Sequence, residues 1–282
     1  MKKIFSQKLI LFLFAMMLFS GCANDQYAIE KEYWWLKKQA NEIFKNPFST
    51  PPRQVEVAVA KFNNFIRRHP TSPMALDAEF TIARIYQSKE QYAAAREQLN
   101  TVLNKHAKSD QICAETIFLI GNTYEAEDKW PLALEKYKAV IQKYPMTQRG
   151  FSIPMYIPAY YKSKFQPEKM VAAYQEAIDH YRNIAHRFTN SPIGYQAYNL
   201  VADCYIGMND WPNAISTYNT MLFKYKGKLP LDTLQMTMAM IYSREMQDTA
   251  NAKIKLQELL KEYPHSRFAS QAKKFLKELE KK

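Results

Sequence analysis

The sequence predicts an all-α protein, a superhelical solenoid of helix-turn-helix repeats. Six alanines recur at near-constant spacing, Ala58, Ala95, Ala133, Ala177, Ala214 and Ala252, at intervals of 37, 38, 44, 37 and 38 residues. Four residues after each stands a large side chain, in turn Phe62, Leu99, Tyr137, Tyr181, Tyr218 and Leu256. Residues at i and i+4 share one helix face, so each pair marks a packing stripe. Glycine is scarce, with six residues against fourteen prolines. That balance favours helices stopped by turns over a strand-rich sandwich.

The chain opens on a segment of another kind. Lys2, Lys3 and Lys8 precede eleven unbroken apolar residues, Leu9 to Phe19, and then Ser20-Gly21-Cys22. A positive start, a short apolar stretch and small residues before a cleavage point read as a secretory signal over residues 1–21. Eleven helical residues rise about 16 Å, roughly half of a bilayer core. The cysteine after Ser20-Gly21 resembles a bacterial lipobox, with Phe19 where that pattern prefers Leu. The resemblance implies that Cys22 is diacylated and becomes the new N-terminus, with residues 22–32 as a lipidated tether. Two acyl chains give stable anchoring where one holds only marginally. Ala23 in place of Asp implies sorting to an outer membrane.

The repeat array is expected over 33–265. Its first unit is split by Asn46-Pro47-Phe48-Ser49-Thr50-Pro51-Pro52, which no helix can cross. Trp34 and Trp35 can anchor at a membrane interface, since tryptophan suits that boundary, or can cap the first unit. In three units a large residue, a small residue and a tyrosine follow one order: Ile82-Ala83 with Tyr86, Ile120-Gly121 with Tyr124, and Val201-Ala202 with Tyr205. The small residue allows close approach of the paired helix. Tyr92, Trp130, Tyr174 and Trp211 stand three residues before their alanines, and Pro70, Pro145 and Pro264 stand twelve after. This combination resembles the tetratricopeptide repeat, most fully over Ala114 to Pro145. The fourth unit, with its 44-residue spacing and Pro154 and Pro158, is expected to have an irregular or displaced first helix. Tyr242 stands one residue out of step. Residues 266–282 read as a solvated capping helix.

In tetratricopeptide proteins the first helix of each unit lines a concave binding face. The resemblance therefore implies a peptide groove made of Asp77, Phe80, Arg84 and Gln87, then Glu115, Phe118, Asn122 and Glu125, and later Gln196, Asn199 and Asp203. Phe80 and Phe118 either hold an apolar or extended peptide or pack between neighbouring units. These helices lack the Lys/Asn set with which some tetratricopeptide proteins clamp a terminal carboxylate.

Catalytic patterns are not found. His69, His106, His180, His186 and His265 include no i, i+4 pair for a metal, and no phosphate-binding glycine loop or nucleophile elbow is present. No cofactor or metal is expected, and the chain is read as a binder, not an enzyme. Cys113 and Cys204 lie in helical patterns as small apolar residues, and no disulfide is expected. The formal charge of +12 is spread along the chain without a basic arm, so no nucleic-acid partner is expected.

A lipobox followed by long-turn tetratricopeptide units is similar to the outer-membrane assembly lipoproteins of the BamD type. That resemblance implies an accessory scaffold, anchored by lipid in the outer membrane and facing the periplasm. Its partners would be a barrel insertase subunit and unfolded outer-membrane proteins. The alternative is a tetratricopeptide envelope protein of the Tol-Pal, cell-division type, which usually lacks the lipid and carries an N-terminal coiled coil.

Overall fold

A computed structural model describes residues 26–281. The signal segment, Cys22 and Ala23 lie outside the described residues. Helix α1 covers residues 26–45, so residues 26–32, read from the sequence as tether, are its first turns. The other helices are α2 (Pro52–Arg68), α3 (Pro73–Ser88), α4 (Tyr92–Lys105), α5 (Asp110–Ala126), α6 (Trp130–Lys143) and α7 (Gln148–Ser163). They continue as α8 (Pro167–Arg187), α9 (Pro192–Gly207), α10 (Trp211–Tyr225), α11 (Asp232–Met240), α12 (Thr249–Glu262) and α13 (Ala269–Glu280). The fold is an all-α helical-repeat solenoid, without strands among the described residues.

The helix starts follow from local chemistry. Ser72 and Ser191 each cap a helix whose first residue is proline, accepting from the N–H groups of Met74 and Gly194. Proline fits there because its missing N–H would have had no partner. Ser109, Asp210 and Asp248 cap α5, α10 and α12 in the same way.

The turn inside every unit after the first is one recurring device. Glu90, Asp128, Phe165, Asn209 and Gln247 all have positive φ, between 53° and 59°. In the first four, the N–H of the next residue donates back to the carbonyl of Tyr86, Tyr124, Tyr161 or Tyr205. This left-handed closure ends one helix and aims the next. In the last unit Asp248 donates to Tyr242 across one extra residue, which the π-helical turn Ile241–Glu245 absorbs. That inserted residue is what puts Tyr242 out of step. Phe165 is the bulky member of the set and is 92% exposed. Phe165→Gly is expected to raise stability by about 1 kcal/mol, because left-handed backbone costs an L-residue that much. Chemical denaturation measures this, and an unchanged or lower midpoint would mean that the Phe165 ring is held by contacts worth more than the strain.

The described residues divide into two compact units, one ending at residue 151 and the other beginning at residue 152. In the first, α1, α2 and α3 share a core of Tyr33, Leu36, Ala40 and Ile43 with Phe62, Phe65, Ile82 and Ile85. Gly121 lets α6 approach α5, since a Cβ there would lie 2.5 Å from the Tyr137 ring. Cys113 is buried, with its thiol 3.5 Å from the His106 carbonyl.

In the second unit α8, α9 and α10 pack in sequence, and α11, α12 and α13 close on Ala252, Leu256, Leu259 and Ala272. Cys204 is buried beside the Met155 sulfur at 3.3 Å. The six alanines and their i+4 partners are all buried.

The fourth repeat corrects the sequence reading. Its first helix, α7, is a regular helix with Pro154 and Pro158 inside it. The buried positions Gly150, Ile153, Pro154, Ile157 and Pro158 match Gly194, Ala197, Tyr198, Val201 and Ala202 at a constant offset. The extra length lies in α8, which has 21 residues where α4 and α6 have 14. Seven added residues make about two turns, so α8 keeps the same face inward.

Candidate functional site

The groove residues taken from the resemblance lie on α3, α5 and α9, and most of those in the first unit are already engaged. Asp77 accepts from the Tyr33 hydroxyl and pairs with Lys37 at 3.1 Å, fastening α3 to α1. Burial, then the adjacent Asp77 carboxylate, raises the Tyr33 hydroxyl well above its usual range. Phe80 packs with Ala83, Leu99, Ile120 and Tyr124, so it fills the joint between neighbouring repeats.

Glu115 holds Arg149 through two hydrogen bonds of 2.6 and 2.8 Å. The same guanidinium lies 3.8 Å from the Phe118 ring centroid, and Phe118 is buried against Tyr137. Such a fork pairs geometry with charge and leaves Phe118 covered. Asn122 and Glu125 both stand 2.7 Å from the Tyr137 hydroxyl, whose single proton they share. Glu125 therefore belongs to a half-buried network around the Tyr137 hydroxyl.

Arg84 and Gln87 are more open. Arg84 is exposed and stacks over Phe44 of α1 at 5.0 Å, while Gln87 is half-buried.

In the second unit, Gln196 is exposed and Asn199 donates to the Tyr195 carbonyl at 3.2 Å. Asp203 is accessible to solvent, yet desolvation by the surrounding protein raises its carboxyl above the usual range.

The residues missed by the sequence reading are on α1. Its buried positions, Tyr33, Leu36, Ala40 and Ile43, align with Ala75, Ala78, Ile82 and Ile85 at an offset of 42 residues. Trp35, Lys38, Glu42 and Lys45 therefore stand where Asp77, Phe80, Arg84 and Gln87 stand. The signal was present as this heptad-like spacing, but the proline-rich turn after α1 moved it out of the 37–38 register. Between α1 and α3 lies a hollow of about 640 Å³, edged by Trp34, Lys37, Lys38, Asn41 and Lys45 on one side and Arg84 on the other. Lys45 pairs with Glu42 at 3.0 Å. Among the described residues no group of three potential metal ligands forms, and no helix is long and apolar enough to cross a membrane.

With this geometry in place, residues 115–145 and 234–266 match the tetratricopeptide repeat. They correspond to α5–α6 and to α11–α12, the two helix pairs whose inner faces are described above. The chain thus carries tetratricopeptide repeats, modules whose general work is binding other proteins. No curated protein matches the chain. Among solved structures, it is similar to the apo form of RapI, at 15% identity and TM-score 0.44, over 87% of this chain and 71% of that one. The C-terminal part of a repeat-containing protein from Cytophaga hutchinsonii gives 15% identity and TM-score 0.43, over 79% and 78%. PilF of Pseudomonas aeruginosa gives 14% and 0.35, over 89% and 99%.

Proposed function

We propose that the protein is a lipid-anchored periplasmic scaffold that binds other proteins during assembly of outer-membrane β-barrels. The observation that carries the binding role is the match of two helix pairs to the tetratricopeptide repeat. The location is supported by the Lys2-Lys3 start, the apolar stretch and Ser20-Gly21-Cys22. The assembly role is supported by the lipobox-plus-repeat resemblance. It is also supported by the position of α1, which packs on α2 and α3 as part of the first repeat from residue 26 onward. The Tol-Pal type would place a coiled coil there. Partner peptides engage the first-helix faces at the positions left open, Gln87 in the first unit and Gln196 and Asp203 in the second. Catalysis forms no part of this reading.

The test is crosslinked co-purification of the tagged full-length chain from native membranes, beside a Cys22→Ala control. Recovery of a large outer-membrane barrel protein with periplasmic domains, weakened in the control, is the expected result. Recovery of Tol, Pal or wall-synthesis proteins instead would replace the assembly role with the cell-division one.

A further inference from the structure

We infer that the outer face of α1 is a docking surface for an anionic lipid layer. Its aromatic rings enter the headgroup region, and a lipid phosphate is received in the hollow between α1 and α3. The face lies opposite the side buried by Tyr33, Leu36, Ala40 and Ile43. At helical spacing it carries Tyr27, Lys31, Trp34, Trp35 and Lys38, all exposed. Tyr27 is 63% exposed, Trp34 56% and Trp35 48%, so the tryptophans do not cap the first repeat by burial. They form an edge-to-face pair with centroids 4.7 Å apart, and Lys38 stands over both rings at 5.5 and 4.9 Å. Two large rings held together in water, with a cation beside them, match a boundary that is apolar on one side and anionic on the other.

Charge favours lipid as the occupant. Around the hollow, Lys37, Lys38, Lys45 and Arg84 face two carboxylates, Glu42 and Asp77. Lys31 adds a further cation one turn from Trp34 and Trp35. Of the other acids of α1, Glu32 pairs with Arg68, and Glu30, one turn before Trp34, accepts from Gln26, so the cations still outnumber the carboxylates on this side. Chain length points the same way. Cys22 precedes Tyr27 by five residues, which span about 17 Å at most when extended. An acyl anchor at Cys22 would hold this face at the lipid surface. The inference rests on the proposed anchoring only for that last step.

The experiment uses the full chain on vesicles of phosphatidylglycerol with phosphatidylethanolamine, and on phosphatidylcholine, each with brominated acyl chains. Bromine quenches tryptophans that enter the layer, and Trp130 and Trp211 serve as reference. Strong quenching with a blue shift is expected, and is lost in the Trp34→Phe, Trp35→Phe double variant. Lys31→Gln and Lys38→Gln are each expected to reduce the preference for phosphatidylglycerol about fivefold. Vesicle-bound protein without quenching would overturn the inference. So would full displacement by inorganic phosphate, or a response to an acidic peptide with none to vesicles. Mass analysis of the N-terminal fragment reports acylation of Cys22 separately, so failure of the anchor and failure of the face are told apart.

Discussion

Gly150→Ala and Gly194→Ala are each expected to lower stability by about 3 kcal/mol, at the upper end of the range for overpacking. Both glycines are the third residue of a first helix, α7 and α9, and both lie against the end of the preceding second helix. A Cβ at Gly150 would stand 2.2 Å from the Tyr144 carbonyl oxygen and 2.7 Å from the Pro145 carbonyl. A Cβ at Gly194 would stand 2.3 Å from the Phe188 carbonyl oxygen and 3.0 Å from the Tyr225 hydroxyl. The obstructing atoms are mainly backbone, so no rotamer change relieves them. Helix propensity alone would favour alanine at an internal helix position by about 1 kcal/mol, so the sign of the effect separates the two causes. Gly227→Ala is the control. Its backbone has φ +73° and nothing lies within 4 Å, so only the left-handed strain of about 1 kcal/mol is expected. Urea unfolding of the three variants gives the comparison. Equal losses at all three positions would show that close helix approach is not what Gly150 and Gly194 provide.

These two glycines also show where the sequence was legible. The alanine stripes could be read because a buried pair at i and i+4 repeats within one helix, and the structure buries every member. The fold class followed from them. Gly150 and Gly194 are equivalent, but Pro154 and Pro158 stand where α9 has Tyr198 and Ala202. A residue-type pattern does not align proline with tyrosine, although the burial pattern does. For the same reason the fourth repeat reads in sequence as having an irregular or displaced first helix. Two extra turns in α8 keep its inward stripe in phase and leave no break in periodicity. The site was less legible still. Asp77, Glu115 and Glu125 read as open groove acids because their partners are set by tertiary contact. Lys37 lies 40 residues from Asp77 and Arg149 lies 34 from Glu115. Spacing within a helix reports which face a side chain takes, and it does not report what the neighbouring helix brings to that face. Lys38 was hidden differently, by a turn of prolines that shifted α1 out of the common register, whereas Trp34 and Trp35 stood out by residue type as an interface pair.

Alkaline solution is expected to unfold the second unit cooperatively, with stability level up to about pH 8.5 and falling steeply above pH 10. Burial raises the Tyr181 and Tyr218 hydroxyls well above their usual range, and it pushes the Cys204 thiol up to about 12. All three side chains are buried, Tyr181 and Cys204 completely. In the unfolded chain the thiol loses its proton near pH 8.5 and the phenols near pH 10. A raised folded pKa means that the native state keeps protons the unfolded chain releases. The stabilisation is therefore complete below the unfolded values and lost as pH rises toward the folded ones. Three such groups give a slope of up to about 4 kcal/mol per pH unit once all are titrating in the unfolded chain. Two pH units at that slope remove about 8 kcal/mol, comparable with an ordinary stability of about 5–15 kcal/mol. Phenolate absorbance and helical circular dichroism followed together should change in one transition above pH 10. The combination Cys204→Ala with Tyr218→Phe should move that transition to higher pH, and Cys204 should resist iodoacetamide at pH 8 until the chain is unfolded. Phenolates appearing near pH 10 with the helical signal intact would mean that these hydroxyls reach water in the native state. The close packing of α8, α9 and α10 would then not be what keeps them neutral.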